Sequence, residues 1–244
     1  MKLLAIECSA APASAALWED GKIRAASFVN VKLTHSQTLM PMVESVLSSS
    51  LTKPDKIGGV AVTAGPGSFT GIRIGISAAK GIAMPGGLPC IGVSTLFAIA
   101  HNFIGTDCLV CAVMDARCEQ VYQGLFDISS GKITRLSEDE AISCKNLAEK
   151  LKKVSQNAKK RVIIAGDGAE VFFPFAAEIP LAEIAHEKDR FQNAVSTALA
   201  AAPLFAAGQA VTADELLPFY LRLPQAERER NARLAKESEK GETV

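Results

Sequence analysis

The amino-acid sequence predicts an α/β fold that consists of two successive βββαβα units. Short apolar runs of strand type alternate with segments of helical spacing, and the same order of elements begins again at Cys108. Of the 244 residues, 48% are hydrophobic and 21% are charged, which is enough apolar material for the core of such a fold. We therefore divide the chain into a first unit (residues 1–104), a second unit (residues 105–224) and a charged tail (residues 225–244).

The first unit opens with three strand-like segments, LLAIE, SAALW and KIRAASFV. Asp20-Gly21 between the last two predicts a hairpin, because this pair favours tight turns between antiparallel strands. A helix is expected over residues 36–49, with Thr34 and Gln37 spaced as a capping box before and in its first turn. The strand GGVAVTA, a glycine loop, a helix over residues 71–83 and the strand LPCIGV complete the unit.

The second unit repeats this order with the strands LVCAVMDA, CEQVYQGLFDI and KITRLS, a helix over residues 146–154 and the strand RVIIAG. A helix after Gly168, another over residues 193–208 and the run LLPFYLRLP are expected to close the fold. The tail alternates acids and bases with almost no apolar residues, so we expect it to be disordered or a frayed helix. Two such units are the architecture of the actin-like ATPase and sugar kinase superfamily, which has an RNase H-like fold. Fold alone implies no activity.

Charge and cysteine content exclude several classes of protein. The 26 basic and 26 acidic residues balance, so no overall basic field is available for nucleic acid. No run approaches the roughly 18 apolar residues of a membrane span, and the N-terminal apolar run is too short for a signal peptide, so a cytoplasmic location is expected. Most of the six cysteines lie in apolar segments and are expected to be free buried thiols. Cys108 and Cys111 would point to opposite faces of one strand, as core thiols rather than a zinc or redox pair.

The glycine loop in GPGSFTGIRIGISAAKG, residues 65–81, is the most conspicuous motif. Gly65 and Gly67 follow a strand and precede a helix, where backbone N–H groups can bind an anion. The segment matches neither the P-loop pattern nor the dinucleotide-binding spacing, which is one residue shorter. No acidic residue occurs between Lys56 and Thr106. The loop can therefore contact a phosphate, but its half of the chain supplies no metal-binding carboxylate or general base.

The segment GPGSFTGIRIGISAAKGIA, together with LLAIECS, HSQTLMP, DARCEQVY and PFYLR, resembles the TsaB family, also called YeaZ. These motifs extend from the first strand to Arg222. The resemblance implies a non-catalytic subunit of the bacterial machinery that attaches threonylcarbamoyl to the adenosine beside the tRNA anticodon. In that family the catalytic paralogue TsaD forms a heterodimer with TsaB, an ATPase called TsaE joins them, and tRNA is bound by the complex. The alternative is an active nucleotide-dependent enzyme of the actin-like superfamily, a small-molecule kinase or a carbamoyltransferase.

The resemblance also predicts that the chain lacks the metal site of its catalytic paralogue. That paralogue carries an H-x-x-x-H pair, and the matching stretch here has Thr95 and Ile99 in the two positions. Neither side chain is a ligand for a transition metal. His101 lies two positions further and is expected to be a surface or interface histidine. We therefore expect no metal, no cofactor and no intrinsic catalysis.

Four residues would form a vestigial nucleotide site: Glu7, Gly65, Gly67 and Asp115. Glu7 ends the first strand and Asp115 ends the first strand of the second unit, where actin-like ATPases place carboxylates near the metal and the phosphates. The alternative is that both acids cap their strands and bind backbone N–H groups. Residues 166–168, Gly-Asp-Gly, correspond either to the second nucleotide loop of a sugar kinase or to a plain strand-to-helix turn.

Two helices are expected to form the partner-binding surface. On the second helix, small residues recur on one side, which would let a helix of the paralogue approach closely, or a helix of a second copy when the paralogue is absent. The expected contacts of that helix are Gly71, Ile72, Gly75, Ile76, Ala79 and Ile82. The preceding helix offers a second apolar strip, formed by Leu39, Val43, Val46 and Leu47.

Overall fold

The first five strands form a single mixed sheet in the order β3-β2-β1-β4-β5. They are β1 (Lys2–Glu7), β2 (Ala13–Glu19), β3 (Lys22–Val29), β4 (Gly59–Gly65) and β5 (Cys90–Ser94). The structure is a computed structural model that describes residues 1–31 and 33–222, without the side chain of Asn157. Expectations for the tail over residues 225–244 lie outside the described residues.

The second sheet repeats the topology of the first, with the order β11-β10-β6-β7-β8 and with β9 paired to β7. Its strands are β6 (Cys108–Asp115), β7 (Gln120–Ser129), β8 (Lys132–Arg135), β9 (Glu140–Ser143), β10 (Arg161–Ala165) and β11 (Ala182–Ile184). In each sheet the first strand of the unit pairs antiparallel with the next strand and parallel with a later one, β1 with β4 and β6 with β10. The repeated order confirms the predicted α/β fold, in which the same arrangement of strands occurs twice.

Seven helices accompany the described strands. They are α1 (His35–Ser49), α2 (Phe69–Ala83), α3 (Thr95–His101), α4 (Cys144–Ala158), α5 (Ala169–Ala176), α6 (Glu187–Arg190) and α7 (Ala194–Ala206). The short elements α3, α6, β9 and β11 were not predicted, because they have too few residues to show a clear period. The predicted capping box is wrong, because the Thr34 side chain makes no cap hydrogen bond; Gln37 N–H donates to the Thr34 carbonyl instead.

The helices cover both faces of both sheets. Helices α1 and α2 pack on one face of the first sheet, and α4 and α5 pack on the outer face of the second. Helix α3 packs mainly against the second sheet, although it belongs to the first part of the chain. Helix α7, which we assigned to the second unit, packs instead on the first sheet, where Ala194, Ala198 and Ala201 are buried beside β1 and β2. Their small side chains let this helix lie close to the strands.

The chain after α7 runs back along the first sheet without forming a helix or a regular strand. Val211 pairs with Cys90 through two backbone hydrogen bonds, and Leu216 is buried in the α1–α2 core. Phe219 N–H then donates to the Ala64 carbonyl over 2.7 Å. We call residues 217–222 the C-terminal strap, because they lie across the end of β4 and the loop that follows it.

The burial and the free state of the cysteines agree with the sequence-based expectations. Five cysteines are buried and free, whereas Cys118 is exposed. Cys108 and Cys111 lie in different hydrophobic clusters, on opposite faces of the second sheet. Within the described part of the chain, no helix combines the length and the apolar character that crossing a membrane requires.

Candidate functional site

A cleft of about 460 Å³ lies between the two units, where β1, β4 and β6 end. The glycine loop and the start of α2 form one wall, and the turns after β6 and β10 form the opposite wall. The C-terminal strap closes one side with Phe219, Tyr220 and Arg222. In doubly wound α/β folds, ligands bind at the carboxyl ends of strands, so this is the position of an expected nucleotide site.

The glycine loop is held by the chain's own backbone. Ser68 N–H donates to the Ser9 carbonyl over 2.6 Å, and the Ser68 hydroxyl caps α2 by accepting a bond from Gly71 N–H. A Cβ on Gly67 would overlap the Ser9 carbonyl oxygen, so glycine is required for this close approach. The loop thus packs against the turn between β1 and β2, and one of the N–H groups that would face a phosphate is already bonded.

Glu7 is fully buried at the end of β1. Its Oε1 accepts hydrogen bonds from the backbone N–H and the hydroxyl of Ser9, each over 2.6 Å. Its Oε2 has no partner within residues 1–31 and 33–222. Burial raises the pKa of Glu7, and the hydrogen bonds from Ser9 only partly oppose this.

Asp115 binds the turn that follows its own strand. Its Oδ1 accepts a hydrogen bond from Arg117 N–H over 2.8 Å, and its Oδ2 lies 3.4 Å from the Arg117 guanidinium. Both candidate acids therefore bind backbone N–H groups, as the alternative reading of the sequence expected. The bonds hold these carboxylates to their own strands, so each helps to fix the geometry of the cleft.

Asp167 is the acid whose environment is most perturbed. Burial, followed by the negative charge of Asp115 and a smaller effect of Glu7, raises the pKa of Asp167 to about 7. Its Oδ1 is buried without a partner among the described residues. The charges of Asp115 and Glu7 thus act on Asp167, but no group of three His, Cys, Asp or Glu residues in the described chain has the arrangement of a metal site.

The strap contributes an aromatic and cationic rim that the sequence analysis did not identify. The rings of Phe69 and Tyr220 are stacked with centroids 5.0 Å apart, and the Arg73 guanidinium lies 3.7 Å above the Phe69 ring. Arg73 Nε also donates to the Tyr220 hydroxyl over 3.0 Å. The Arg222 guanidinium binds the Ala116 carbonyl and Gln120 of the opposite wall. The motif PFYLR was the available signal, but nothing in its composition indicates which loop it contacts.

The structure corrects most of the expected partner-binding residues. Eight of the ten are buried inside the chain's own core: Leu39, Val43, Val46, Gly71, Ile72, Gly75, Ile76 and Ala79. Their assignment as contacts with another protein is wrong in this conformation, because they face the first sheet. Leu47 and Ile82 are partly buried at the edge of the same core.

The small residues of α2 serve helix–sheet packing rather than helix–helix packing. A Cβ on Gly75 would lie 2.8 Å from Cys8 Sγ and 3.3 Å from Val62, and one on Gly71 would overlap the Cys8 carbonyl. The Cys8 thiol donates to the Gly71 carbonyl over 3.2 Å. Glycine at both positions therefore lets α2 rest directly on β1 and β4. The sequence correctly predicted a face of small residues on α2, but that face packs on the chain's own sheet and not on another protein.

A different apolar surface remains exposed on the outer side of α1. Met40 is 47% exposed and Leu51, just past the helix, is 93% exposed. With Pro41, Glu44 and Leu47 they line a shallow groove of about 890 Å³, and we call these five residues the outer α1 patch. Contiguous apolar surface of this kind marks interaction sites on many proteins.

The positions of the missing histidine pair lie inside the protein. Thr95 and Ile99 are both fully buried in α3. His101 is only 7% exposed, so the expectation of a surface histidine is wrong. The ring packs edge-on against Phe97, one turn earlier in the helix.

A protein-family model described as TsaD, tRNA N6-adenosine threonylcarbamoyltransferase, matches residues 30–229. The tRNA threonylcarbamoyladenosine biosynthesis protein TsaB of Escherichia coli is 32% identical over 225 residues, covering 91% of this chain and 95% of the relative. The protein of the same name from Bacillus subtilis is 34% identical over 152 residues, covering 62% of this chain and 66% of the relative. The solved structure of YeaZ from Pseudomonas aeruginosa superposes with a TM-score of 0.78 at 26% identity, covering 90% of this chain and 99% of that one.

Proposed function

Because the chain belongs to the TsaB family of tRNA threonylcarbamoyladenosine biosynthesis proteins, we propose that it is the non-catalytic partner subunit of that modification machinery. In this role it binds a TsaD-like catalytic paralogue and holds it in an active state. A TsaE-like ATPase joins the pair, and tRNA is bound by the complex in the cytoplasm. The match of the TsaD family model to most of the chain supports a partner that shares this fold.

The outer α1 patch is the observation that carries the proposal. Met40 and Leu51 present large apolar side chains to solvent on a helix that has only one charged residue, Glu44. The neighbouring outer side of α2 adds Phe69, Thr70, Ile74 and Ser77, with Arg73 as the one charged residue of this group. Two adjacent helices with little charge form a surface that a pair of helices from a related subunit can cover. The same surface would join two copies of this chain when the paralogue is absent.

Three features of the cleft support a subunit without chemistry of its own. Glu7 is sealed from solvent and bound to Ser9, so it has no access to a reacting group. Thr95 and Ile99 occupy the positions of the paralogue's histidines and are buried. The strap lies on the glycine loop, where a Cβ on Gly65 would overlap the Phe219 carbonyl. We propose that Glu7, Gly65, Gly67 and Asp115 are a vestigial nucleotide site and that the protein uses no cofactor.

An active nucleotide-dependent enzyme is the alternative, and the empty space beside Asp115 and Asp167 is the observation that favours it. Steady-state release of phosphate from ATP by the isolated chain distinguishes the two functions. The partner-subunit proposal expects release at background level. Release that disappears in both Glu7→Ala and Asp115→Ala would establish the alternative.

The main experiment is reconstitution with each component left out. We expect the chain to co-purify with a TsaD-like paralogue, and the threonylcarbamoyl modification of tRNA to require both proteins and the ATPase. Full modification without this chain, or no complex with the paralogue, would contradict the proposal. A mixture with the paralogue omitted should give no product, which separates a partner subunit from a catalyst.

A further inference from the structure

A second cavity, of about 690 Å³, lies away from the cleft and is independent of the proposed function. It is bounded by β2 and β3 on one side, by the end of α3, and by α6 with the start of α7. Three separate parts of the chain therefore meet around it. A cavity of this volume is in the range of small-molecule sites.

The polar floor of this cavity is fixed by a closed set of hydrogen bonds. Asn102 Nδ2 donates to the carbonyls of Asp189 and Phe191, each over 2.8 Å. Asn193 Nδ2 donates to Asn102 Oδ1 over 3.0 Å, and Asn193 Oδ1 accepts from Ser196 N–H at the start of α7. These bonds tie α3, α6 and α7 together, so the shape of the cavity is set before anything enters it.

Among the described residues of the floor, His101 has a side chain that keeps a free acceptor. Its Nδ1 lies 2.8 Å from the Phe97 carbonyl, and because a carbonyl only accepts, Nδ1 must carry the proton. In the neutral ring Nε2 then has a lone pair, and it has no hydrogen-bond partner among the described residues, although the ring is 7% exposed and lines the cavity. Burial lowers the pKa of His101, which keeps the ring neutral at pH 7.

The remaining walls combine large apolar side chains with the polar side chains of Ser27 and Asn30. Phe28 is 48% exposed and Ile104 is 44% exposed at the mouth, and Phe191 and Leu199 line the interior. The charged groups at the rim, Glu187, Lys188 and Asp189, come from the short helix α6 and include both signs, so they favour neither an anion nor a cation. The walls accordingly suit an uncharged ligand.

We propose that this cavity binds a small, uncharged aromatic molecule with one N–H or O–H donor, which His101 Nε2 accepts. The aromatic body would pack between Phe28 and Leu199, and its donor would face the floor. A ligand without the donor would leave the buried acceptor unbonded, which is the costly arrangement. The site thus distinguishes molecules by one hydrogen-bond donor.

The test compares indole with 1-methylindole, which has the same ring system but no N–H. Both are titrated into the full-length protein and followed by backbone amide NMR. We expect indole to shift the amide signals of Phe28, Ile104 and Leu199, and 1-methylindole to bind roughly tenfold more weakly. In His101→Phe the two compounds should bind with equal affinity, because the acceptor is gone.

Ala26→Trp is the second variant, and it places a large ring over the cavity from the exposed strand β3. It should abolish binding of both compounds, whereas Lys22→Trp on the same strand, outside the cavity, should leave binding unchanged. Circular dichroism verifies that each variant is folded. Equal affinities of the two compounds for the unmodified protein, the absence of shifts at cavity residues, or unchanged binding in Ala26→Trp would overturn the proposal.

Discussion

Helices α1 and α4 occupy equivalent places in the two units, but their solvent faces differ sharply. Among the described side chains of α4, the exposed ones are Lys145, Asn146, Glu149, Lys152, Lys153 and Gln156, all of them polar. Helix α1 exposes Met40 and Pro41 beside six polar residues, of which only Glu44 is charged. Both helices bury an apolar face against their own sheet, so the core does not explain the difference. The outer face of α4 is therefore suited to contact with water, whereas the outer face of α1 is suited to contact with another protein.

The strand-to-helix loops of the two units also differ in charge, since an acid is present in the loop of the second unit only. Gly65 and Gly166 both have positive φ angles, of 129° and 109°, and a Cβ on either would overlap a backbone carbonyl. The residue that follows is Pro66 in the first unit and Asp167 in the second. The first loop is therefore held by backbone hydrogen bonds and packing, and the second adds an acid with a raised pKa to the cleft.

The largest effect is expected from Gly75→Leu, which tests whether the inner face of α2 belongs to the core. A side chain there meets Cys8 Sγ and Val62, which lie at the sheet surface. We expect the free energy of unfolding to fall by about 3 kcal/mol or more, because overpacking forces the helix away from the sheet. Urea denaturation measures the change.

Gly81→Leu is the matched control on the same helix. Nothing lies within 4 Å of a Cβ at Gly81, which is exposed. The free energy of unfolding should stay the same or rise by about 1 kcal/mol, since glycine is a poor helix former. Equal destabilisation by both variants would contradict the assignment of Gly75, rather than Gly81, to the tight contact with the sheet.

These two glycines show how far the sequence could be read. Order and period predicted both units, α1, α2, α4 and α7, because those helices are long enough to show a repeat. The period of α2 also identified the small face around Gly75, but a helix that is apolar on most of its circumference does not reveal which side meets the sheet. That choice depends on the tight contact with Cys8, a residue 67 positions away in the sequence.

The sequence predicted the acids of the site that end regular strands and missed the residues of the C-terminal strap. Glu7 and Asp115 were predicted because each ends the first strand of its unit, where actin-like ATPases place carboxylates. Tyr220 and Arg222 could not be placed, since the strap forms no regular element and its path depends on contacts with Arg73 and Gln120.

The second prediction concerns the contrast between α1 and α4. Met40→Glu and Leu51→Glu should each weaken binding of a TsaD-like paralogue by about tenfold or more, because each places a charge in a desolvated apolar contact. Lys145→Glu and Lys153→Glu on α4 are the controls and should change the affinity less than about twofold. Calorimetric titration gives the dissociation constants. If the α4 variants weaken binding and the α1 variants do not, the paralogue binds the outer face of α4 and the assignment to α1 is wrong.

The third prediction concerns Asp167 and the pH dependence of stability. The folded protein keeps this proton up to about pH 7, whereas the unfolded chain releases it near the ordinary pKa of 3.8. The free energy of unfolding contributed by this group therefore falls as the pH rises from about 4 to 7 and is constant above that interval. Asp167→Asn should remove the decline and stabilise the protein at pH 8 by about 2 kcal/mol.

Pro66→Ala in the equivalent loop of the first unit is the control for Asp167→Asn. It changes no titrating group, so the slope of stability against pH should match that of the unmodified protein. Thermal unfolding between pH 4 and pH 8 measures both variants. A slope that persists in Asp167→Asn would assign the dependence to Glu7, whose pKa is raised by burial in the same direction.

The smallest effect is expected from removal of residues 225–244, and it separates the tail from the strap that precedes it. The tail alternates acids and bases with almost no apolar side chains, so it has no face to bury, and its loss should change the melting temperature by less than about 2 °C. Partner affinity should also be unchanged. Truncation before Leu217 should instead lower the melting temperature clearly, because it removes the Phe219–Ala64 hydrogen bond and the stacking of Tyr220 on Phe69. A tail deletion as destabilising as the strap deletion would show that the charged segment packs on the fold after all.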